Sequence, residues 1–236
     1  MKITHWISAL LLSGALVMAG YFIGNLQVNA RKYDRYVTVK GLSEREVAAD
    51  LAVWPMNIAL TGNDLQDLSK RIEEQNETVY QFFISQGFQA DELTRGPVSI
   101  NDARANIHNT QALQNPYRYQ AKSELTVRTG DIAKLQRALT NSLELLSNGI
   151  VIGSKNEWQP IEYIFTGLND LKPEMVEEST KNARIVAEKF ARDSQAEVGQ
   201  IRAARQGLFS ISNRDANTPE IKKVRVVSTI EFMLED

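Results

Sequence analysis

The stretch "NARIVAEKFARDSQAEVGQI", residues 182–201, decides the fold. Alanines recur every four residues, at Ala183, Ala187 and Ala191, and charged residues fill the spaces between them. Because an α-helix completes a turn in about 3.6 residues, this spacing predicts a helix with a stripe of very small side chains. Small side chains let a helix approach its partner closely. The stripe therefore predicts close packing of a long helix on a sheet rather than a ligand site.

The larger side chains of this helix predict which line of residues faces inward. The predicted helix begins after Asn169 and Asp170, has Pro173 in its first turn, and runs to about Glu197 with Gly199 just beyond. Ala187 and Ala191 flank the predicted inward line. That line steps by three and four residues through Val176, Ser179, Ala183, Val186 and Phe190.

Two further helices are predicted upstream. The first follows Asn63 and Asp64 and ends at Gly87, which is suited to a left-handed C-terminal cap. The second follows Gly130 and Asp131 and stops near residues 148–149. The predicted buried residues are Leu65, Leu68, Ile72, Val79 and Phe82 for the first helix, and Leu135, Leu139, Ser142 and Leu146 for the second.

Strands are predicted by alternation of apolar and polar residues. Residues 117–128 alternate cleanly, as does the last strand from Val224 to Leu234, so each has one buried face. Residues 45–62 predict a long strand whose apolar face changes beside Pro55. Since proline has no N–H for a ladder hydrogen bond, this change predicts a β-bulge or an edge position.

The order of these elements predicts the fold class. Strand pairs near 35–61, 95–128, 150–166 and 201–234 alternate with the three helices, which indicates a weak repeat of ββα units. Half-polar strands beside regularly spaced helices are typical of an α+β fold. We therefore expect antiparallel sheets with three helices packed on one face.

The N-terminus predicts a membrane or signal helix before this domain. Residues 7–24 carry no charge, and eighteen residues of helix span about 27 Å, close to the thickness of a bilayer core. Residues 1–30 are therefore a signal peptide or an uncleaved membrane anchor, and small residues near 17–19 and 28–30 are compatible with cleavage. Residues 31–236 form the predicted α+β domain.

Composition excludes several classes of site. The chain of 236 residues has 27 basic and 29 acidic residues. It therefore lacks the basic excess that would indicate a nucleic-acid partner. It has no cysteine, which excludes disulfides, thiolate catalysis and zinc sites built on cysteine. Its two histidines, His5 and His108, are far apart in sequence and fit no metal or triad motif. We expect no catalytic residue, no metal and no cofactor.

The candidate site is a small basic patch. Arg202 and Arg205 would lie close to the segment 222–225 if their strands pair. Solvated strand edges often carry such charges to block edge pairing, so an anion or lipid-headgroup site is the alternative interpretation. The residues of the predicted patch are Arg202, Arg205, Lys222, Lys223 and Arg225.

Three segments together resemble the SIMPL domain family of exported bacterial proteins. "VTVKGLSEREVAADLAV", residues 37–53, resembles its opening strand, its glycine (Gly41) and the strand that follows. Residues 168–201 resemble its long alanine-rich helix, and "KKVRVVSTIEFML", residues 222–234, resembles its closing strand. Where many relatives have proline before the aspartate of the second strand, this chain has Ala49 before Asp50.

The resemblance implies an α+β fold, a periplasmic or envelope location and no established enzymatic activity. Some members form ring-like homo-oligomers, and some are linked to oxidative-stress tolerance. We therefore expect a non-enzymatic, self-associating periplasmic protein that residues 7–24 anchor in the inner membrane. Its protein partners are not indicated. The alternatives are a ligand- or partner-binding sensor module of the envelope, or a hydrolase with an unusual carboxylate site.

Overall fold

The chain folds into a mixed α+β structure with two antiparallel sheets, as the sequence predicts. The computed structural model describes residues 13–23, 35–105, 116–154 and 161–235. The strands are β1 (Tyr36–Ala48), β2 (Leu51–Gly62), β3 (Leu93–Arg95), β4 (Ser99–Asp102), β5 (Tyr119–Thr129), β6 (Ile152–Ser154), β7 (Glu162–Ile164), β8 (Glu197–Gln206), β9 (Ser210–Asn213) and β10 (Ile221–Glu235). The helices are α1 (Leu65–Ser85), α2 (Ile132–Asn141), α3 (Leu143–Ser147) and α4 (Leu168–Asp193).

Strand pairing differs from the predicted repeat of ββα units. One sheet has the order β1-β10-β8 with β9 beside β10, and the other has the order β3-β5-β2-β6. The neighbours β1 and β2 therefore lie in different sheets. Strands β6 and β7 pair with successive parts of β2, and β3 and β4 pair with successive parts of β5. The predicted strand pairs are thus not repeated hairpins.

The chain divides into two compact units. The first comprises the described residues within Met1–Arg45, Asp170–Ile211 and Val224–Asp236. The second comprises those within Glu46–Asn169 and Ser212–Lys223.

The core of the first unit lies between α4 and the sheet. Ala183, Ala187 and Ala191 are at most 1% exposed, and the first two pack against Val39, Ile230 and Phe232. On the predicted inward line, Ser179 and Ala183 are buried as expected, but Val186 is 36% and Phe190 58% exposed, so this part of the line is wrong. The inward line is the alanine stripe itself, extended by two buried residues at its N-terminal end, Met175 and Ser179.

Gly41 of β1 shows why this stripe consists of alanines. A Cβ atom built on Gly41 would lie 2.6 Å from the backbone nitrogen of Ala183 and 2.9 Å from its Cβ. Such distances are shorter than real Cβ contacts, so helix and strand touch backbone to backbone here. The glycine and the alanines therefore serve one purpose, which is the close approach of α4 to β1.

The C-terminal end of α4 comes earlier than predicted. The helix ends at Asp193 rather than near Glu197, and Gln195 has a positive φ of 55°. Gly199 lies within β8. The helix also begins earlier, so Pro173 lies inside it rather than in its first turn.

The second unit is built on β2, whose buried residues are all even-numbered. Ala52, Trp54, Met56 and Ile58 pack under α1, and the rings of Trp54 and Phe83 form a T-shaped pair with their centroids 5.8 Å apart. The β2–β5 register is continuous from Ala52 to Gly62, so the predicted bulge at Pro55 is wrong. Pro55 lies instead in the interval between the segments that pair with β7 and β6. A strand tolerates a residue without N–H at such a place.

Helix α1 agrees with its predicted bounds, and Gly87 has the expected positive φ, 88°. Of its predicted buried residues, Leu65 is exposed and the others are buried. The second predicted helix is two helices, α2 and α3, and most of its predicted face is wrong. Leu135 is buried, but Leu139 and Leu146 are exposed, and Ala138 and Leu145 take their place.

Only part of the predicted membrane segment lies within the described residues. Residues 13–23 are helical, whereas residues 7–12 and residue 24 lie outside the described ranges. Among the described helices, none combines the length and the apolar character needed to cross a bilayer.

Candidate functional site

The five residues of the predicted basic patch lie in different surroundings. Lys222 is buried, its Nζ donates to Oδ1 of Asn213, and burial lowers the pKa of its ammonium. It therefore adds no exposed charge. Its face could have been read from the sequence, because Lys222 has the same alternation in β10 as the buried Val224 and Val226.

The other four residues are more accessible. Arg202 lies over the ring of Tyr36, with its Cζ 4.3 Å from the ring centroid. Arg205 is paired with Thr229 across β8 and β10, and Arg225 is exposed. Lys223 is half-buried and, like Lys222, belongs to the second unit, whereas the three arginines belong to the first. An anion site on these arginines stays a prediction.

The second unit contains a cavity of about 560 Å³ between α1 and the sheet edge. Its lining is acidic, with Glu73, Glu74, Glu77 and Glu124 beside Arg95. Arg95 donates to Glu77 at 2.8 Å and lies 4.0 Å above the ring of Tyr80. Hydrogen bonds from Gln81 and Arg95 hold the pKa of the Glu77 carboxyl below its ordinary value.

A largely buried ion pair fixes the N-terminal end of α2. Nζ of Lys134 lies 2.7 Å from Glu92, and the two side chains are only 14% and 19% exposed. The hydroxyl of Thr129 also donates to Glu92. Burial raises the pKa of the Glu92 carboxyl, but the hydrogen bonds from Lys134 and Thr129 outweigh it and the pKa lies below its ordinary value. This network links β5 to α2, so we assign it a structural role.

Two aspartate side chains in the second unit accept hydrogen bonds from backbone N–H groups. Asp50, in the turn between β1 and β2, accepts hydrogen bonds from the N–H and hydroxyl of Thr166 and from the N–H of Gly167, at 2.8–3.1 Å. Asp64 caps α1 by accepting from the N–H groups of Gln66 and Asp67. Capping explains the acidic start of this helix without a metal. Within the described residues, no group of three or more acidic or histidine side chains is placed to hold a metal ion.

The first unit has an edge strand at its surface. Strand β1 pairs with β10 and forms the edge of its sheet. On its outward face, Tyr36 is 45% and Leu42 42% exposed. Beside this edge, the carbonyl of Leu42 accepts a hydrogen bond of 2.8 Å from the side chain of Asn182 on α4. Large apolar side chains are exposed elsewhere on the unit, namely Ile185, Phe190, Ile201 and Leu208.

The family model for SIMPL, described as a protein of unknown function (DUF541), matches residues 37–231. The chain belongs to the SIMPL family. The match begins in β1 and ends in β10, so it covers both sheets and α4. A search of curated proteins found no match to the chain.

Sequence reasoning missed two features of this SIMPL domain. The edge position of β1 depends on which strands pair, and that pairing joins residues nearly two hundred positions apart. The role of Asp50 as an acceptor for residues 166–167 depends on a contact between residues 116 and 117 positions apart. The one local signal was the change of buried face between β1 and β2, which marks Asp50 as lying in a turn.

Proposed function

We propose that this SIMPL protein is a non-enzymatic, self-associating protein of the bacterial envelope, anchored in the inner membrane by residues 7–24. The observation that carries the proposal is the apolar surface of the first unit. Leu208 is 95% exposed, Phe190 58% and Ile185 51%, although each would be favourable to bury. Large exposed apolar side chains are candidates for a protein–protein contact, and these three lie in one compact unit.

Burial of these side chains in an oligomer would supply its driving force. Full burial of a leucine or phenylalanine side chain contributes about 1.5–3 kcal/mol. Charged residues separate the apolar ones on α4, since Glu188 and Lys189 lie between Val186 and Phe190. Such mixed surfaces suit contacts between folded subunits, because non-obligate interfaces are about as apolar as the rest of a protein surface.

Light scattering coupled to size-exclusion chromatography tests self-association. The full chain, purified in a mild detergent, is expected to elute as one discrete species whose protein mass is a multiple of 26.5 kDa. A monomer at all concentrations would overturn the proposal. Leu208→Ser should keep the fold, because this side chain is almost fully exposed, and it should weaken the oligomer if residue 208 lies in the contact.

The anchor has its own test. Residues 7–24 carry no charge, and a single uncleaved helix of this length would resist extraction. Carbonate treatment of native membranes should therefore leave the protein in the pellet. Release of a soluble species that begins near Arg31 would mean a cleaved signal peptide and a protein free in the periplasm.

The physiological setting that we propose is tolerance of envelope or oxidative stress, as the family resemblance implies. Survival of a deletion strain under peroxide, compared with the complemented strain, tests it. Equal survival of the two strains would remove the stress link.

A sensor that binds a ligand or partner is the second candidate, and the cavity beside α1 favours it. A volume of about 560 Å³ lies within the range of small-molecule sites. Its glutamates would favour a cationic ligand. Thermal-shift screening of small cations and amines separates the two candidates, since a saturable shift that Glu77→Gln abolishes would favour the sensor.

A further inference from the structure

We propose that the free edge of β1 pairs with β1 of a second copy of this chain, in antiparallel orientation about a two-fold axis at Leu42. This inference rests on the proposed self-association and names the surface that performs it. Three observations carry it: the direction of the backbone groups of Leu42, the order of charges along β1, and the apolar row of α4 beside the strand.

The backbone groups of Leu42 point away from β10. In an antiparallel strand, the N–H and C=O of one residue point to the same side, and the side alternates from residue to residue. The carbonyl of Arg35 accepts from the N–H of Leu234 in β10, so odd-numbered residues of β1 face β10. Leu42 is an odd number of residues away and therefore faces the free edge. Its hydrogen bond from Asn182, which reaches over from α4, agrees with this direction.

The charges along β1 are complementary to themselves. Leu42 is the midpoint of the strand Tyr36–Ala48, so a two-fold axis at Leu42 aligns the whole strand with its copy. In that register, Lys40 of each copy lies opposite Glu44 of the other, twice by symmetry. All three side chains are exposed on one face, with the two Leu42 side chains in contact at the centre. Cross-strand pairs of opposite charge and apolar pairs are the contacts that stabilise antiparallel sheets.

Helix α4 extends the contact beyond the strand. Asn182 lies beside the edge of β1, and Val186 and Phe190 follow it at intervals of four residues on the same side of the helix. Both are exposed in the single chain. A two-fold axis perpendicular to the sheet keeps both copies of α4 on the same face, so these rows would line the joint between them. A carbonyl accepts two hydrogen bonds, so Asn182 and the second copy can share the Leu42 oxygen.

The free edge of β1 is thirteen residues long. Natural sheets protect long edges with charged side chains, proline or bulges, because a free edge pairs readily with other chains. Lys40 and Glu44 are charged, but in the two-fold register they lie opposite each other and so favour this one pairing. Strand β1 contains no proline, and its burial alternates without interruption from Val37 to Val47. Among the described residues, no strand covers this edge. Pairing with its own copy satisfies the edge and closes the assembly at two subunits for this contact.

The cysteine-free chain permits a direct test by disulfide formation. In the proposed dimer, the two Leu42 Cα atoms lie about 5.5 Å apart, within the range of about 4.4–6.8 Å for disulfides. Thr38 is exposed on the same face of the same strand, but its two copies would lie about 26 Å apart. Mild oxidation of the full chain in detergent should therefore link Leu42→Cys into a disulfide-bonded dimer and form no crosslink in Thr38→Cys.

Charge reversal at Lys40 and Glu44 tests whether these two side chains pair across the dimer, because only such a pair is restored when both charges are exchanged. Lys40→Glu alone and Glu44→Lys alone each place like charges opposite one another and should weaken dimerisation about tenfold. The double variant restores opposite pairs and should recover the affinity of the natural chain. Failure of this recovery would overturn the proposed register.

The outcomes separate this inference from the proposed self-association. An oligomer in which Leu42→Cys does not crosslink would overturn the β1 contact and leave self-association through another surface. A monomeric natural chain would overturn both. Equal crosslinking of Leu42→Cys and Thr38→Cys would mean random collision, and a membrane adduct of another mass would mean a different partner. Equal crosslinking of the two variants, or a crosslink to a different protein, overturns the inference.

Discussion

Ala187→Leu tests whether the alanine stripe holds α4 against its sheet. Ala187 is fully buried and packs among Val39, Ile230 and Phe232. Leucine here adds three carbons to the buried face of α4, one turn after the place where Ala183 meets Gly41 at backbone distance. Overpacking costs about 1–3 kcal/mol, and we expect about 2–3 kcal/mol because the helix has no room to move aside. In a chain of this size, that loss lowers Tm by about 4–12 °C.

Glu188→Leu is the matched control, because it introduces the same residue one position further along the exposed side of α4. Leucine is a good helix former at either site, so helix propensity cancels and packing remains. The control should change the free energy of unfolding by about 0.5 kcal/mol or less. Urea unfolding of residues 31–236 at one fixed protein concentration measures both variants. A greater loss in Glu188→Leu would refute the assignment of the inward face and indicate a subunit contact on the charged side.

Three further variants test other parts of the fold. Gly41→Ala forces a Cβ atom against the backbone of α4 and should destabilise the protein by about 2 kcal/mol or more, whereas Gly62→Ala, whose Cβ would meet only ordinary contacts, should not; urea melts compare them. Lys134→Met leaves Glu92 without its ion pair and should cost about 2–3 kcal/mol near neutral pH. Because the folded pKa of Glu92 is depressed, the pair stabilises the protein above the unfolded pKa, so this difference should shrink as the pH of the melts falls below about 4. Asp50→Ala removes the acceptor of three donors, at a cost of about 1–3 kcal/mol, and hydrogen exchange at residues 166–167 should become faster.

The local elements of this fold could be predicted from the sequence because their signals are local. Helix α1 follows from its apolar spacing, its Asp64 cap and Gly87, all within one segment. The alternation of residues 117–128 predicts the buried face of β5, and that face is confirmed by the burial of Ala121, Leu125 and Val127.

Where the prediction was wrong, the deciding contact is distant in sequence. The hydrophobicity of Phe190 predicts that it lies on the inward face of α4. Only the smallest side chains fit that face, however, because Gly41 of β1 approaches it so closely. The pairing of β1 with β10 likewise depends on residues far apart along the chain. The candidate surface could therefore not be predicted, because an edge exists only once the strand order is known.

Capture of the protein from its native envelope tests self-association most directly. Two copies of the full chain with different tags are expressed together, one tag is captured, and quantitative proteomics measures what accompanies it. Self-association predicts that the copy with the other tag is the main captured protein, in an amount comparable to the bait. Stoichiometric capture of a different protein without the second copy would contradict the account.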